Sequence, residues 1–167
     1  KAKDNFLIVR VDNNREKDRV PNLTTDWWNY GGITRDVKLI ELPKVYVEDY
    51  HLQLDKNDPT KVKGYVILNG TASDVTISIP EIKYTEKFAV TNGRANISFN
   101  AKKLKKWYPK RPKLYDVHIR AGNDKTTDRI GFRTIETKGE DILLNGQSIF
   151  LRGTSLHEEV PQRTGRA

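Results

Sequence analysis

Apolar and polar positions alternate along most of this chain with a period of two, the signature of half-buried strands. The pattern opens at "DNFLIVRVDNN", where Phe6, Ile8 and Arg10 fall on one side and Leu7 and Val9 on the other. "RVPNLTTDWWNYGG" then reads as an irregular aromatic loop, and "ITRDVKLIEL" as a second strand ended by Pro43. From "KVYVEDYHLQLD" onward strands and turns succeed one another regularly, although alternation falters near Asp49 before Leu52 and Leu54 resume it. "DKNDPT" is a turn by composition. "KVKGYVILNG", "SDVTISIP", "YTEKFAVTNG" and "RANISFN" follow as strands. "KLYDVHIRAGND" and "TTDRIGFRTIET" add two more, joined by a Gly-Asn-Asp turn that closes a hairpin.

No helical period competes with this pattern. Short strands at this spacing predict an all-β fold, an immunoglobulin-like antiparallel β-sandwich. Its expected buried set is Val47, Leu52, Leu54, Val66, Leu68, Val75, Ile77, Ile79, Ile97, Phe99, Leu114, Val117, Ile119 and Phe132. After it, "GEDILLNGQSIFLRGTSLHEE" reads as a further hairpin turning at Asn145-Gly146. The expected division is 1–42 as the tail of one domain, 43–134 as a whole sandwich, and 135–167 as the start of a third.

Composition narrows the chemistry. Thirty Lys and Arg against 22 Asp and Glu give a net charge of +8, which keeps the surface soluble and attracts anions without naming a partner. Hydrophobic residues make up 36% and the mean hydropathy is -0.72, values of a polar-surfaced globular chain. With 0 Cys there is no disulfide framework, zinc thiolate cluster or thiol nucleophile. No apolar run approaches the roughly 18 residues a membrane-spanning helix needs. Residue 1 opens directly onto "FLIVRV", so a leader on a longer parent would lie outside this sequence, and a periplasmic or secreted parent stays open.

Four groups of residues invite a functional reading, each with a structural rival. His157, Glu158 and Glu159 lack the i, i+4 histidine spacing of a helical zinc site, and there are only 3 histidines in the chain, so no metal is expected. Glu158 and Glu159, adjacent on an extended segment, point opposite ways and make a poor glycosidase pair. Asp26 beside Trp27 and Trp28 suits stacking on a sugar face, although paired indoles equally fill the end of a core. "AKKLKKWYPKRPK" interleaves Lys102, Lys103, Lys105, Lys106, Lys110, Arg111 and Lys113 with Trp107 and Tyr108, as a nucleic-acid surface does. Pro109 and Pro112 make it instead a stiff connection, and neither nucleic acid nor membrane is the expected partner. His51 and His118 sit in strands as sheet residues.

Four ordered stretches, "FLIVRVDN", "DWWNYGGITRDVKL", "WYPKRPKLYDVHIR" leading to "IGFRTIE", and "ILLNGQSIFLRGTSLHEE", resemble the glycoside hydrolase family 2 enzymes. That group includes β-galactosidases, β-glucuronidases and β-mannosidases. The resemblance implies a jelly-roll sugar-binding domain first, an immunoglobulin-like sandwich second and a catalytic (β/α)8 barrel third. This chain would then hold the closing part of the first, all of the second and the entry hairpin of the third, packed against those domains. It implies that both catalytic Glu residues lie farther along the barrel, so the chain is expected to be a non-catalytic piece of a retaining exo-β-glycosidase acting on β-linked carbohydrate, with no cofactor. Galactoside is the first substrate expectation. A stand-alone carbohydrate-binding or structural sandwich is the alternative.

By the same resemblance Asp26, Asn29 and His157 contact the sugar, while Tyr30, Gly32, Arg152, Gly153 and Ser155 support them around Arg35. Ser155 departs from the family's usual Asn, and Thr154 replaces an apolar residue.

Overall fold

The computed structural model describes residues 6–19, 22–24, 31–33 and 35–156, and the strand backbone at 159–160 and 163–166. Its contacts group into Glu41–Arg152 and a second unit made of Lys1–Ile40 with Gly153–Ala167.

In the first unit, strands β1 (Val47–Leu54), β2 (Lys61–Leu68), β3 (Asp74–Ile79), β4 (Tyr84–Thr91), β5 (Arg94–Asn100), β6 (Tyr115–Ala121) and β7 (Asp124–Ile130) pair antiparallel in the order β1-β2-β5-β4-β3-β6-β7. β4 divides its pairing: Tyr84–Ala89 lie along β3, while Val90 and Thr91 pair with Ala95 and Arg94 of β5. One strand thus belongs to both layers of an antiparallel sandwich. Because successive strand residues point to opposite faces, Val75, Ile77 and Ile79 meet Ala95, Ile97 and Phe99 and Val117, Ile119 and Ala121 in one core. Each such Val or Ile, once sealed from water, contributes about 1.5–3 kcal/mol of apolar burial.

The expected buried set is found inside except for Val47 and Leu114, which are half-buried. Tyr115 takes the core place expected of Leu114, because it is in phase with Val117 and Ile119. Leu114 lies instead against Gly131. The faltering alternation near Asp49 is a register shift between Val47 and Asp49 where β1 pairs with β2. Such a bulge admits one extra residue and bends the strand.

The two outer strands, β1 and β7, are joined by side chains rather than by a ladder. Asp124 accepts from the Val47 N–H at 2.9 Å, and Asp128 accepts from the Tyr50 hydroxyl at 2.7 Å. Farther on, the Gln53 amide donates to Gly131 O at 3.3 Å and accepts from the Arg133 N–H at 3.0 Å. These bonds occupy edges that would otherwise offer unpaired backbone to another chain.

The expected strand through "TTDRIGFRTIET" is interrupted after Ile130 and resumes only at β8 (Ile135–Lys138). The break has a cause: a Cβ on Gly131 would stand 2.7 Å from Trp107 Cδ1, so the chain passes flat under the indole there, and Arg133 turns to Gln53. β8, β9 (Asp141–Leu144) and β10 (Gln147–Ile149) form a three-stranded sheet in the order β10-β9-β8. Asn145 and Gly146, with φ of 52° and 80°, make the two-residue turn expected from the sequence.

Before the sandwich, two expected strands are corrected: residues 6–11 and the described residues of 33–42 join no ladder. Their apolar side chains are exposed on both parities, from Phe6 at 85% and Leu7 at 78% to Leu39 at 100% and Ile40 at 72%. A strand needs a neighbour for its backbone groups, and the described chain supplies none. β11 (Glu159–Val160) and β12 (Arg163–Arg166) pair antiparallel.

Candidate functional site

Of the residues expected to touch sugar, Asp26, Asn29 and His157 lie outside the described residues, as do Tyr30, Trp27, Trp28 and the side chains of Glu158 and Glu159. The surrounding loop is partly seen. Gly32 has φ of 89°, a conformation glycine adopts without strain, and a Cβ on Gly31 would meet the Asn13 amide at 2.6 Å. Arg35 is exposed. Arg152 is exposed, its guanidinium 5.9 Å from the Phe150 ring centroid. Ser155 is exposed and its carbonyl accepts from the Thr154 hydroxyl at 3.4 Å.

The basic segment is clamped. Lys105 N–H donates to the hydroxyl of buried Tyr115 at 2.9 Å, and Trp107 N–H donates to Phe132 O at 2.9 Å. Tyr108 and Arg111 exchange backbone bonds of 3.1 and 2.9 Å across Pro109 and Lys110. Lys113 lies 4.5 Å from the Tyr115 ring centroid and pairs with Glu81 at 2.5 Å. The Trp107 indole covers Gly131, with the Arg133 guanidinium 5.2 Å from its ring. Both aromatics of the run are half-buried, Trp107 against Gly131 and Tyr108 with the Arg111 guanidinium 6.0 Å from its ring centroid.

The Asn145-Gly146 turn is tied to this segment by its side chain. The Asn145 side chain donates from Nδ2 to Trp107 O at 3.0 Å and accepts at Oδ1 from the Thr134 N–H at 3.1 Å, while its own N–H donates to Thr134 O at 2.9 Å. The only sequence signal for this was Asn rather than Gly or Asp before Gly146.

Six groups of the sandwich, Tyr50, Asp55, Asp58, Lys63, Tyr65 and Tyr84, are shifted away from neutrality. Tyr50 is pushed up to about 12, first by burial and then by Asp128. The hydrogen bond to Asp49 raises Tyr65, and burial with Glu86 raises Tyr84. Lys63 beside Asp55 holds that carboxyl below the usual range, helped by the Asn57 N–H, and Thr60 and Lys61 do the same for Asp58. These tyrosines stay protonated and these carboxylates ionised around pH 7. A proton-transfer group works best with its pKa near the working pH, so each of them suits structure.

A cleft of about 630 Å³ opens between the 43–45 segment, the start of β3 and the β6–β7 turn. Lys44, Lys87, Arg120 and Asp74 line it, and the Asp74 carboxylate lies 3.7 Å from Lys87 Nζ and accepts from the Ser73 hydroxyl at 3.0 Å. No aromatic face lines it. Among the described residues, no three His, Cys, Asp or Glu side chains converge as metal ligands, and no helix is long and apolar enough to cross a membrane.

Comparison with known proteins agrees with this architecture. A protein of Formosa agariphila described as a β-glucuronidase is 30% identical, over 95% of this chain and 21% of its own length. A β-galactosidase of Streptococcus thermophilus is 34% identical, over 84% of this chain and 15% of its own. The crystal structure of a family 2 β-galacturonidase from Eisenbergiella tayi bound to galacturonate superposes with a TM-score of 0.68 at 28% identity, covering 91% of this chain and 29% of that one. This chain therefore spans only a small part of the relatives it matches. The sequence profile of the glycosyl hydrolases family 2 matches residues 45–133, which are the strands of the sandwich from the entry to β1 through the Gly131 crossing, and the chain belongs to that family.

Proposed function

We propose that this chain is the non-catalytic sandwich portion of a retaining exo-β-glycosidase, a spacer that holds a sugar-binding domain against a catalytic barrel. The observation that carries the reading is membership of family 2 combined with a span of 21% and 15% of two relatives' lengths. The shifted titratable groups of the sandwich fit it, since none is displaced toward neutrality. In this reading residues 1–42 close a jelly roll, 43–134 form the immunoglobulin-like domain and 135–167 enter the barrel. Exposed apolar side chains at Phe6, Ile8, Leu39, Phe150 and Leu151 are the surfaces such neighbours would cover. Asp26, Asn29 and His157 hydrogen-bond the terminal sugar, with Tyr30, Arg152 and Ser155 supporting them.

The substrate is a terminal β-galactoside, the activity named for the Streptococcus thermophilus relative. A β-uronide is the second reading, favoured by the likeness to the β-galacturonidase. Steady-state kinetics of the longer parent on 4-nitrophenyl β-galactoside, β-glucuronide, β-galacturonide and β-mannoside decide between them. The account expects the galactoside to have the highest kcat/KM, and His157→Ala to lower it about twofold to tenfold, the worth of one hydrogen bond to a substrate hydroxyl. Hydrolysis of none of the four would overturn the reading, and an unchanged kcat and KM in the His157 variant would remove that residue from it.

A further inference from the structure

We infer that Asn145 is a positioning residue: its side chain pins the β9–β10 turn to the sandwich and thereby fixes where the chain leaves that unit, at Arg152. Three segments distant in sequence meet on this one amide. Oδ1 takes the Thr134 N–H at 3.1 Å and Nδ2 gives to Trp107 O at 3.0 Å, so donor and acceptor are both used. Thr134 is only 5% exposed, so without Oδ1 its N–H has neither that partner nor free access to water. Trp107 is itself fixed, through its N–H to Phe132 O and its ring on Gly131. The pin is anchored at its far end.

The turn alone does not require this side chain. Asn92 precedes Gly93 in the β4–β5 hairpin with the same φ of 52°, yet it is solvent-exposed and the turn is closed by its backbone. Glycine satisfies a positive φ as well as asparagine. Asn145 is thus chosen for what its amide holds. Only Phe150, Leu151 and Arg152 follow the pinned hairpin before the boundary of the unit, and His157 comes five residues after Arg152 in the sequence. An extended chain spans at most about 3.5 Å per residue, so moving the exit moves the origin of a tether of at most about 18 Å that leads to His157. This consequence rests on the sugar-contact role proposed for His157; the pin does not.

Two variants separate the parts. Asn145→Gly keeps the turn and removes the amide, and Asn92→Gly is its control. In the 167-residue chain, amide hydrogen exchange of Thr134 and of the β8–β10 ladder should quicken at least about tenfold in Asn145→Gly, as expected for losing two hydrogen bonds. Amides of β3 and β6 should keep their rates, and Asn92→Gly should leave the hairpin unchanged. Unaltered exchange at Thr134, or equal acceleration in every strand, would overturn the inference. In the longer parent, Asn145→Gly should lower kcat/KM, and lower it no further when His157→Ala is already present. Full additivity of the two would refute positioning through His157. A parent inactive on every β-glycoside would sink the proposed function while leaving the exchange result to decide the pin.

Discussion

Substituting Gly64, the one glycine inside strands β1–β7, by alanine should destabilise the sandwich more than the same change at Gly122 in the β6–β7 turn. Gly64 lies in β2 opposite Leu52 of β1. A Cβ there would overlap the His51 carbonyl oxygen and stand 2.7 Å from the His51 carbonyl carbon and 3.1 Å from Leu52 Cα. All three atoms are backbone of a paired strand, so no rotamer relieves the contact. Restoring an ordinary C···O separation requires β1 to retreat by about 1.5 Å. That stretches the neighbouring ladder bonds past their useful range, at about 1 kcal/mol each, and adds a strain of overpacking of about 1–3 kcal/mol. The expected loss is about 3 kcal/mol. At roughly 4 °C per kcal/mol for a unit of this size, Tm should fall by about 12 °C. Thermal melts followed by circular dichroism, with urea titrations at 25 °C, measure both. Gly122→Ala is the control: its φ is +57° and nothing lies within 4 Å of the added methyl, so only the left-handed backbone cost of about 1 kcal/mol applies. A Gly64→Ala protein melting within about 3 °C of the original, or above Gly122→Ala, would refute the steric reasoning.

Two pH dependences follow from the paired groups. Tyr50, pushed up to about 12, keeps its proton in the folded chain where an unfolded tyrosine, with an ordinary pKa near 10, has lost it. Its contribution is complete below about pH 10 and declines toward pH 12, and because the side chain is only half-buried, solvent screening keeps the loss to about 1 kcal/mol. Urea midpoints at pH 9 and 11.5 should therefore lie closer together in Tyr50→Phe, with Tyr65 and Tyr84 keeping the rest of the decline; an undiminished alkaline decline would count against the Tyr50–Asp128 bond. Asp55 is held low by Lys63, so its stabilising share is present above the usual carboxylate range and lost as pH falls through its lowered value. Asp55→Asn should flatten the acid limb of stability in urea titrations from pH 6 to 3, and an identical limb would show the pair to be idle.

Much of the sandwich was legible because strand parity is a local property. Val75, Ile77 and Ile79, or Ile97 and Phe99, announce a buried face in a few consecutive residues, and all are inside. Even the bulge in β1 showed as a lapse in alternation near Asp49. What stayed hidden depends on distant partners. "RIGFRTIE" alternates without interruption, and only Trp107 lying on Gly131 breaks it into two strands. Val62 and Ala121 sit at strand ends and Ala95 is small, so none stood out as core, although all three are sealed by the opposite layer. Asn145-Gly146 was readable as a turn, whereas its bond to Trp107, 38 residues away, was not. "FLIVRV" reads as a strand by composition, but strand pairing depends on a neighbour that no local pattern reports. The sugar-contact roles proposed for Asp26, Asn29 and His157 rest on the family resemblance alone, since those residues lie outside the described ones.

The central claim is that this polypeptide supports glycoside cleavage without performing it. Turnover of 4-nitrophenyl β-galactoside, measured side by side for the purified 167-residue chain and for the longer parent at equal concentration, tests it most directly. The account predicts release of nitrophenol at the buffer rate for the chain and rapid hydrolysis by the parent. Efficient, saturable hydrolysis by the chain itself would contradict it.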